Sequence, residues 1–422
     1  MMIPYGYKQT EVGVIPEDWS VDTIGAVTLS VTNGGNYKNS AQISLYPLIK
    51  MGNISRGYIN LKKIEYVIGF PPSENDRLTY GDVLLNTRNT PELVGKVAIW
   101  KNELSRAYFN SNLLRFNFKL EKSDPFFMNL IFNTEQVISE FRNIAKGTTS
   151  VAAIYPQDML KVKIIIPPLQ EQQRIAEALS DVDGMISSLE KLIAKYKSIK
   201  TACLQQMFPQ NGETVPRMRL PGFTGAWKQR KLGDIGETYT GLSGKTKADF
   251  GHGQARFVTY MNVFSNPISN PEMTEPIEID PKQNEVEVGD VFFTTSSETP
   301  EEVGMSSILL EKRGKTYLNS FCFGFRPSEK IDSYYLAYML RSESARAKIT
   351  LLAQGISRYN ISKNKVMEIA VSLPSLDEQK MIGQYFSQLD NLITLHQRKL
   401  EKIQKIKQGM MQQLLTGKIR LV

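Results

Sequence analysis

The fold of this chain is decided by a segment, residues 167 to 208, that opens with Pro167-Pro-Leu-Gln-Glu-Gln172 and returns 207 residues later as Pro374-Ser-Leu-Asp-Glu-Gln379. Aligned without gaps to residues 374 to 415, the first copy shares thirteen identities with the second. Further matches at an offset of 208, such as Trp19 with Trp227, extend the repeat toward the start of each copy. Chance does not give such agreement, so the 422-residue chain is a tandem duplication.

Each repeated segment predicts one long helix. Its apolar residues recur at alternating steps of four and three, which is the pattern of a heptad seam. A proline precedes each segment and disfavours helix upstream, while acidic residues follow where a helix N terminus favours them. Each helix would run about 38 residues, or about 57 Å, and the two would bury their stripes by pairing antiparallel. The predicted seam residues are Ile175, Leu179, Val182, Ile186, Leu189, Ile382, Phe386, Leu389, Ile393 and Leu400.

The regions between these helices predict two similar globular domains of mixed α/β structure. Alternating or β-branched runs predict strands at 83–85, 96–100, 113–118 and 161–166, and apolar spacing predicts helices at 125–144 and 332–352. The predicted organisation is a globular domain at 1–166, a helix at 167–208, a second globular domain at 209–375 and a second helix at 376–422, related by a pseudo-twofold axis. His396, at a seam position, is expected to be a satisfied core or edge residue.

Composition excludes several classes of protein. With 41% hydrophobic and 22% charged residues, the chain has the composition of a soluble globular protein. It has no apolar run near the roughly 18 residues of a membrane span and no signal-peptide pattern at its start, so we expect a cytoplasmic protein. Two cysteines and two histidines cannot build a disulfide framework or a zinc cluster. A net charge of +8 is compatible with nucleic-acid binding without showing it.

Catalytic motifs are matched only in fragments. Gly241-Leu-Ser-Gly-Lys-Thr246 resembles the end of a phosphate-binding loop, but Tyr239 stands where its first glycine belongs. Arg256 replaces the third glycine of a dinucleotide fingerprint, and Asp280-Pro-Lys282 lacks the upstream carboxylate of a nuclease site. No methyltransferase tetrapeptide and no hydrolase triad is present. We therefore predict a binding protein with no catalytic residues and no metal site.

Polar loops occupy matching places in the two copies. Residues 86–90 correspond to 294–298, and residues 146–150 to 354–360. Their hydroxyl, amide and guanidinium groups suit contacts to DNA phosphates and base edges, although ordinary turns have a similar composition. The candidate DNA-binding residues are Arg88, Lys96, Thr148, Thr149 and Ser150 in the first domain and Lys245, Thr295, Ser296, Arg358 and Tyr359 in the second.

Several motifs resemble those of the specificity subunits of type I restriction-modification systems. The run Leu169-Gln-Glu-Gln-Gln-Arg-Ile-Ala176 and the ending Gln412-Gln-Leu-Leu-Thr-Gly417 are similar to the spacer helices of that family. Pro16-Glu-Asp-Trp19 and Phe223-Thr-Gly-Ala-Trp227 resemble the openings of its target recognition domains. The resemblance covers essentially the whole chain, and Ser375 replaces the second proline of the spacer motif.

The resemblance implies a non-catalytic subunit whose two target recognition domains each read one half of a bipartite site in double-stranded DNA. It also implies two methyltransferase subunits that form an adenine-N6 methylase with S-adenosylmethionine, and two motor-nuclease (restriction) subunits that use ATP and Mg²⁺. The cofactors would bind these partners rather than this chain. An alternative is a protein-interaction scaffold that recruits partners without reading DNA. A twofold-like reader would place its half-sites roughly 34 to 36 Å apart.

Overall fold

The computed structural model of the protein describes residues 3–148, 150–210 and 212–422. The chain divides into two compact units, one formed by Met1–Ser188 with Leu400–Val422 (unit 1) and one formed by Leu189–Lys399 (unit 2). Each unit therefore contains a globular domain and a part of both long helices. Among the described residues, no helix is both long and apolar enough to cross a bilayer.

Unit 1 consists of short strands and short helices followed by the start of the first long helix. Its strands are β1 (Tyr7–Thr10), β2 (Gly13–Pro16), β3 (Ser20–Thr23), β4 (Thr28–Asn33), β5 (Asn39–Ser40), β6 (Pro47–Ile49), β7 (Glu65–Val67), β8 (Val83–Asn86), β9 (Arg88–Asn89), β10 (Val97–Ile99), β11 (Tyr108–Phe109), β12 (Leu113–Phe118), β13 (Lys146–Gly147), β14 (Ala152–Ala153) and β15 (Lys163–Ile166). Its helices are α1 (Ile24–Val27), α2 (Pro125–Phe132), α3 (Glu135–Ile144), α4 (Pro156–Met159), the first part of α5 (Leu169–Gln206) and the last part of α10 (Leu376–Leu414).

The core of unit 1 lies on both faces of a four-stranded antiparallel sheet in the order β10-β8-β12-β4. Val83 and Leu85 of β8 face one apolar cluster that includes α2, while Leu84 between them faces another that includes Trp100. Because this strand is covered on both sides, its sequence is continuously apolar instead of alternating. The sheet β11-β6-β7-β5 flanks the second cluster.

Unit 2 repeats this plan. Its strands are β16 (Lys228–Lys231), β17 (Gly236–Thr240), β18 (Phe250–Val258), β19 (Thr274–Ile277), β20 (Val291–Thr294), β21 (Ser296–Ser297), β22 (Ser306–Ile308), β23 (Thr316–Leu318), β24 (Cys322–Pro327), β25 (Tyr359–Asn360) and β26 (Ala370–Leu373). Its helices are the last part of α5, α6 (Tyr260–Ser265), α7 (Ser333–Met339), α8 (Glu343–Thr350), α9 (Lys363–Met367) and most of α10 (Leu376–Leu414). The sheet β22-β20-β24-β17 corresponds, strand for strand, to β10-β8-β12-β4 of unit 1. The predicted tandem repeat and mixed α/β fold are confirmed.

The single helices predicted at 125–144 and 332–352 are wrong, because each is two helices. In unit 1, Asn133 follows α2 and turns its amide toward the carbonyl oxygens of Asn129 (2.7 Å) and Val97 (3.2 Å). In unit 2, the Ser342 hydroxyl accepts a hydrogen bond from the Ala345 amide at 3.4 Å and caps α8. A side chain that satisfies backbone groups at such a point competes with helix continuation.

The long helices pair antiparallel, as predicted, and this is visible inside each unit. In unit 1, Asp183 of α5 forms an ion pair with Lys407 of α10 at 2.5 Å. In unit 2, Lys200 of α5 forms the repeat-related ion pair with Asp390 of α10, also at 2.5 Å. Of the predicted seam residues, Ile175, Leu179, Leu189, Ile382, Phe386, Leu389 and Ile393 are buried, and Val182, Ile186 and Leu400 are half-buried.

His396 differs from its expectation as a satisfied residue. Its ring stacks on Tyr196 with centroids 5.6 Å apart, but Nδ1 is buried without a hydrogen-bond partner among the described residues. The aromatic contact explains why the seam accepts an imidazole. The stacking leaves one ring nitrogen unsatisfied.

Candidate nucleic-acid interface

A small hairpin in unit 1 carries the candidate residues Thr148 and Ser150 and pairs with the strand that contains Arg88. Strands β13 and β14 pair antiparallel, and Ala153 of β14 also pairs with Arg88 of β9. The Arg88 side chain is exposed beside this hairpin. At the tip, the hydroxyls of Thr148 and Ser150 are 3.2 Å apart, and both residues are exposed. Thr149 lies outside the described residues. Arg88, Thr148 and Ser150 are therefore exposed residues on or beside one small sheet, β13-β14-β9, whereas Asn86 and Thr87 are buried.

Gly147 closes this hairpin in a conformation that other residues rarely adopt. Its φ is +153°, and a Cβ there would lie 2.1 Å from the carbonyl oxygen of Val151. The repeat-related Gly355 has φ +140°, and a Cβ there would lie 2.0 Å from the carbonyl oxygen of Arg358. Glycine is needed at both places because the backbone passes too close for any side chain.

The corresponding surface of unit 2 has different side chains on the same backbone plan. β21 pairs with β25, and a bridge between Gln354 and Asn360 closes the loop. Arg358 is exposed, with its guanidinium 5.7 Å from the centre of the Phe321 ring. The Thr295 hydroxyl donates to the carbonyl oxygen of Phe321 at 2.9 Å. Tyr359 is half-buried in β25. An exposed cation therefore stands in the loop that corresponds to the hairpin tip of unit 1, and Ser296 stands where unit 1 has Arg88.

Two candidate residues of unit 2 require correction. Ser296 is 4% exposed, and its carbonyl oxygen accepts a hydrogen bond from the Tyr260 hydroxyl, so the side chain is enclosed in the domain rather than presented to DNA. Lys245 is paired with Asp280 at 2.7 Å, and its side chain is only 13% exposed. Hydrogen bonds from Lys245, from the backbone of Lys282 and from Gln283 hold the pKa of Asp280 well below its ordinary value. Lys245 is thus an internal ion-pair partner rather than a free cation.

Lys96 is half-buried at the start of β10, and its carbonyl oxygen accepts a hydrogen bond from the Asn86 amide at 2.9 Å. The ion pairs of unit 1 involve other residues, so its ammonium has no carboxylate partner within 4.0 Å among the described residues. Lys96 remains available to an anionic ligand.

The identical Glu-Gln pair at the start of each long helix has a clear structural role. In unit 1, Gln172 accepts a hydrogen bond from the amide of Asp124 and donates to the carbonyl oxygen of Lys122, both at 2.9 Å. Asp124 caps α2, so the glutamine ties the long helix to the globular domain. In unit 2, Gln379 accepts from the amide of Asp332, the cap of α7, at 3.0 Å. The recognition surfaces are therefore carried on domains fixed to the helix starts.

The preceding glutamate forms a buried ion pair that sequence reasoning missed. In unit 1, Glu171 receives Nε and Nη2 of Arg420, each at 2.8 Å, and the indole N–H of Trp19 at 2.9 Å. Burial alone would raise the pKa of Glu171, but hydrogen bonds from Arg420 and Trp19 hold it below its ordinary value. The other end of the Arg420 guanidinium binds Asp18. We call this arrangement the unit 1 clasp.

Unit 2 has a related clasp. Arg219 binds Glu378 through Nε at 2.7 Å and Nη2 at 2.8 Å, and it also donates to the carbonyl oxygens of Thr224 and Gly225. Trp227, which corresponds to Trp19, has a buried indole N–H without a partner among the described residues. Each clasp arginine follows one long helix and binds the first turn of the other. The clasp arginines lie in similar motifs, Met218-Arg-Leu220 and Ile419-Arg-Leu421, which were a sequence signal for the clasp. These motifs do not align at the offset of 207 to 208 residues that relates the rest of the two copies, so the match was missed.

Comparison with known proteins is consistent across the chain. The family model for the type I restriction modification DNA specificity domain matches residues 16–199 and again 225–405. A Methanocaldococcus jannaschii protein named for the MjaX type I restriction specificity subunit is 26% identical, with 98% of this chain and 97% of the relative covered. The EcoKI specificity subunit of Escherichia coli is 21% identical, with 96% and 90% covered.

Solved structures show the same fold. A chain from a study of complex assembly and conformational transition in a type I restriction-modification system matches with a TM-score of 0.55 at 18% identity, covering 96% of this chain and 99% of that one. The S subunit of a type I restriction-modification system from M. genitalium also matches with a TM-score of 0.55, at 14% identity and with 94% and 96% covered.

Proposed function

Because the chain belongs to the family of type I restriction-modification DNA specificity proteins, we propose that it gives such a complex its DNA sequence specificity, each unit reading one half of a bipartite site. The observation that supports this most directly is the repeated hairpin surface. Arg88 in unit 1 and Arg358 in unit 2 are both exposed at this surface, Arg88 on the strand beside the hairpin and Arg358 in the loop that corresponds to the hairpin tip, on domains that share a fold but differ in side chains. Two readers of one design with different residues would recognise two different half-sites.

The two surfaces would use complementary parts of the DNA-recognition repertoire. Arginine can bind guanine O6 and N7 bidentately in the major groove, and hydroxyl groups contact bases or phosphates. In unit 2, the aromatic ring of Phe321 beneath Arg358 restricts the guanidinium and offers an apolar contact, such as a thymine methyl would need. We expect Arg88 and Arg358 to dominate the discrimination between bases.

The chemistry would belong to partner subunits. We propose that two methyltransferase subunits bind this chain and methylate adenine at N6 with S-adenosylmethionine, and that two restriction subunits add ATP- and Mg²⁺-dependent DNA translocation and cleavage. Exposed apolar side chains on the long helices, Met185 on α5 and Leu392 and Leu395 on α10, offer contact area for such partners. A complex of this kind acts on cellular DNA, so we propose a cytoplasmic location.

The test is to map methylated adenines in a host that expresses this chain with its methyltransferase subunit. We expect one bipartite motif with two unlike halves. Arg88→Ala should relax one position in one half, and Arg358→Ala should relax one position in the other, each at a cost of about 1 to 3 kcal/mol. Lys122→Gln removes an exposed charge near the long helix and should leave the motif unchanged.

Two results would contradict the proposal. Methylation without a bipartite motif would show that the chain does not set specificity. A change in both half-sites from either arginine variant would show that each unit does not read its own half. A protein-interaction scaffold would give the first result, because it would recruit partners without sequence-dependent retention on DNA.

A further inference from the structure

A guanidinium group in unit 1 is left without an acceptor. Nη1 of Arg56 is buried and has no hydrogen-bond partner among the described residues. Within the same part of the chain, the ion pairs of unit 1 involve neither Arg56 nor Arg142 nor Lys96. Buried polar groups in folded proteins are nearly always satisfied, and arginine most strictly so because it stays charged. Arg56 therefore carries a charge that no ion pair among the described residues neutralises.

The backbone brings Arg56 close to two more cations. Gly57, which follows Arg56, donates its amide to the carbonyl oxygen of Val97, which follows Lys96, at 2.8 Å. On the other side of Lys96, a Cβ at Gly95 would lie 3.0 Å from Cβ of Phe141, the neighbour of Arg142. Residues 95–97 are thus flanked by the segments that carry Arg56 and Arg142. We call Arg56, Lys96 and Arg142 the cationic patch.

The electrostatics of Arg56 agree with its closeness to Arg142. Burial lowers the pKa of Arg56, and the nearby positive charge of Arg142 lowers it further, while Glu135 opposes the shift. Glu135 is exposed, and it is not among the carboxylates that form ion pairs within the described residues of unit 1. Two guanidinium groups held near each other repel, and an anion that binds both removes the repulsion.

The region of unit 2 that corresponds to the cationic patch has a different set of residues. Gly304 packs against Ile349 as Gly95 packs against Phe141. The residues that follow correspond in the same way, Met305 to Lys96 and Thr350 to Arg142, and both residues of unit 2 are uncharged. Two other arginines occupy the region instead. Arg341 donates to the carbonyl oxygens of Ser306, Val263 and Phe264, and Arg346 donates to those of Gly304, Glu301 and Val303, at 2.6 to 3.0 Å. Arg341 and Arg346 thus each donate three hydrogen bonds to backbone carbonyl oxygens, whereas Nη1 of Arg56 has no acceptor among the described residues.

We propose that Arg56, Lys96 and Arg142 bind phosphate groups of the DNA backbone, so that unit 1 holds the duplex by a sequence-independent contact that unit 2 does not make at the equivalent place. The inference rests on the proposed function. Guanidinium groups bind phosphate oxygens bidentately through charge-assisted hydrogen bonds. Arg142 is exposed and Arg56 and Lys96 are half-buried, so a phosphate can approach the patch from the side of Arg142 and neutralise the repulsion between the two guanidinium groups. This contact fixes the register of the domain on the duplex, and the hairpin beside it reads bases.

The experiment uses the full chain with its methyltransferase subunit and two duplexes of equal length, one carrying the site found by methylation mapping and one with that site scrambled. Arg56→Gln and Arg142→Gln should weaken binding to both duplexes by the same factor. The slope of log affinity against log salt concentration should become shallower by about 0.9 for each phosphate that the variant no longer binds. The methylated motif should not change. Lys122→Gln, at the far end of α2 from Asn133, should leave the slope unaltered.

A stability measurement separates a ligand-binding role from a structural one. Arg56→Gln should maintain or raise the unfolding temperature, because the wild-type Nη1 has no partner to lose among the described residues. Arg341→Gln should lower it, because Arg341 supplies three carbonyl oxygens with their donor. A decrease for Arg56→Gln as large as that for Arg341→Gln would show that Arg56 is structural and overturn the proposal.

The binding results are equally decisive. Unchanged affinity in both patch variants overturns the proposal, as does a loss confined to the specific duplex, which would identify a base-reading contact. If the wild-type complex does not prefer its mapped site over the scrambled duplex, the proposed function fails instead. A phosphate contact would still be detected in that case, because the patch variants would still reduce the salt dependence of binding.

Discussion

Removing the arginine of the unit 1 clasp should destabilise unit 1 strongly. The side chain of Glu171 is 2% exposed and receives two hydrogen bonds from Arg420. In an Arg420→Ala variant, the donors that this buried carboxylate would retain among the described residues are the indole N–H of Trp19 at 2.9 Å and the amide of Leu421 at 3.2 Å. Breaking a buried ion pair by removing one partner costs about 3 to 5 kcal/mol, because the remaining charge is uncompensated.

The lower end of that range is appropriate here, because two donors to Glu171 remain and Arg420 is itself 23% exposed. For a unit of about 200 residues, 1 kcal/mol corresponds to roughly 2 to 4 °C, so about 3 kcal/mol should lower the unfolding temperature of unit 1 by about 6 to 12 °C. Scanning calorimetry would measure the shift, and amide hydrogen exchange would assign it to unit 1. Arg219→Ala is the matched variant, and it should instead destabilise unit 2.

A second substitution tests whether the uncompensated charge is the cause. Glu171→Gln combined with Arg420→Ala should be less destabilising than Arg420→Ala alone, because the neutral amide is cheaper to bury than the carboxylate. The lowered pKa of Glu171 also gives a direction with pH. Its contribution is present above the ordinary carboxyl pKa and is lost as pH falls through the lower folded value. An unchanged unfolding temperature for Arg420→Ala, or no rescue by the second substitution, would refute this reasoning.

Three further predictions concern the hairpin and the long helices. Gly147→Ala should disorder the unit 1 hairpin and weaken specific DNA binding in a mobility-shift assay, whereas Gly184→Ala, on α5 with open space around it, should stabilise the helix by about 0.5 to 1 kcal/mol. Ile393→Asp should lower the unfolding temperature of unit 2 more than Ile186→Asp lowers that of unit 1, because Ile393 is buried and Ile186 is half-buried. Equal decreases measured by calorimetry would contradict the difference in burial between the two seam residues. Deleting about one helical turn from each long helix, Ser187 to Glu190 and Thr394 to Gln397, should change the spacing between half-sites in the methylation map and leave both half-sites intact. An altered half-site with constant spacing would show that the helices do not set the spacing.

The long helices were predictable from sequence because their signal is local and repeated. Their apolar residues recur in one register over about ten turns, and the copies agree at Glu171 and Glu378. The clasp was not predictable, because Arg420 lies 249 residues from Glu171 and belongs to no periodic pattern. The agreement between the two copies identifies the buried glutamate but not the charge that satisfies it.

The candidate interface was predictable in its backbone and less so in its side chains. Matching loop positions identified the segment of Arg88 and the hairpin that follows α3 separately, and their pairing is visible only in the structure. The burial of Ser296 and the ion pair of Lys245 were not predictable, because they involve Tyr260 and Asp280, which the folded sheets bring close. Arg56 was not predicted as a binding residue, because the residues next to it in the sequence do not show that its Nη1 has no acceptor among the described residues.

The division of the chain has a consequence for gene exchange. Unit 2 is one uninterrupted stretch, Leu189–Lys399, and both of its interhelical and clasp ion pairs, Lys200 with Asp390 and Arg219 with Glu378, lie within that stretch. Two crossovers, one in the codons of each long helix, would therefore replace an entire reading unit together with the contacts that hold it. Unit 1 would keep both its clasp and its own helix pairing. Such genes could acquire new DNA specificities by recombination, because the exchanged unit brings its own core and its own ion pairs.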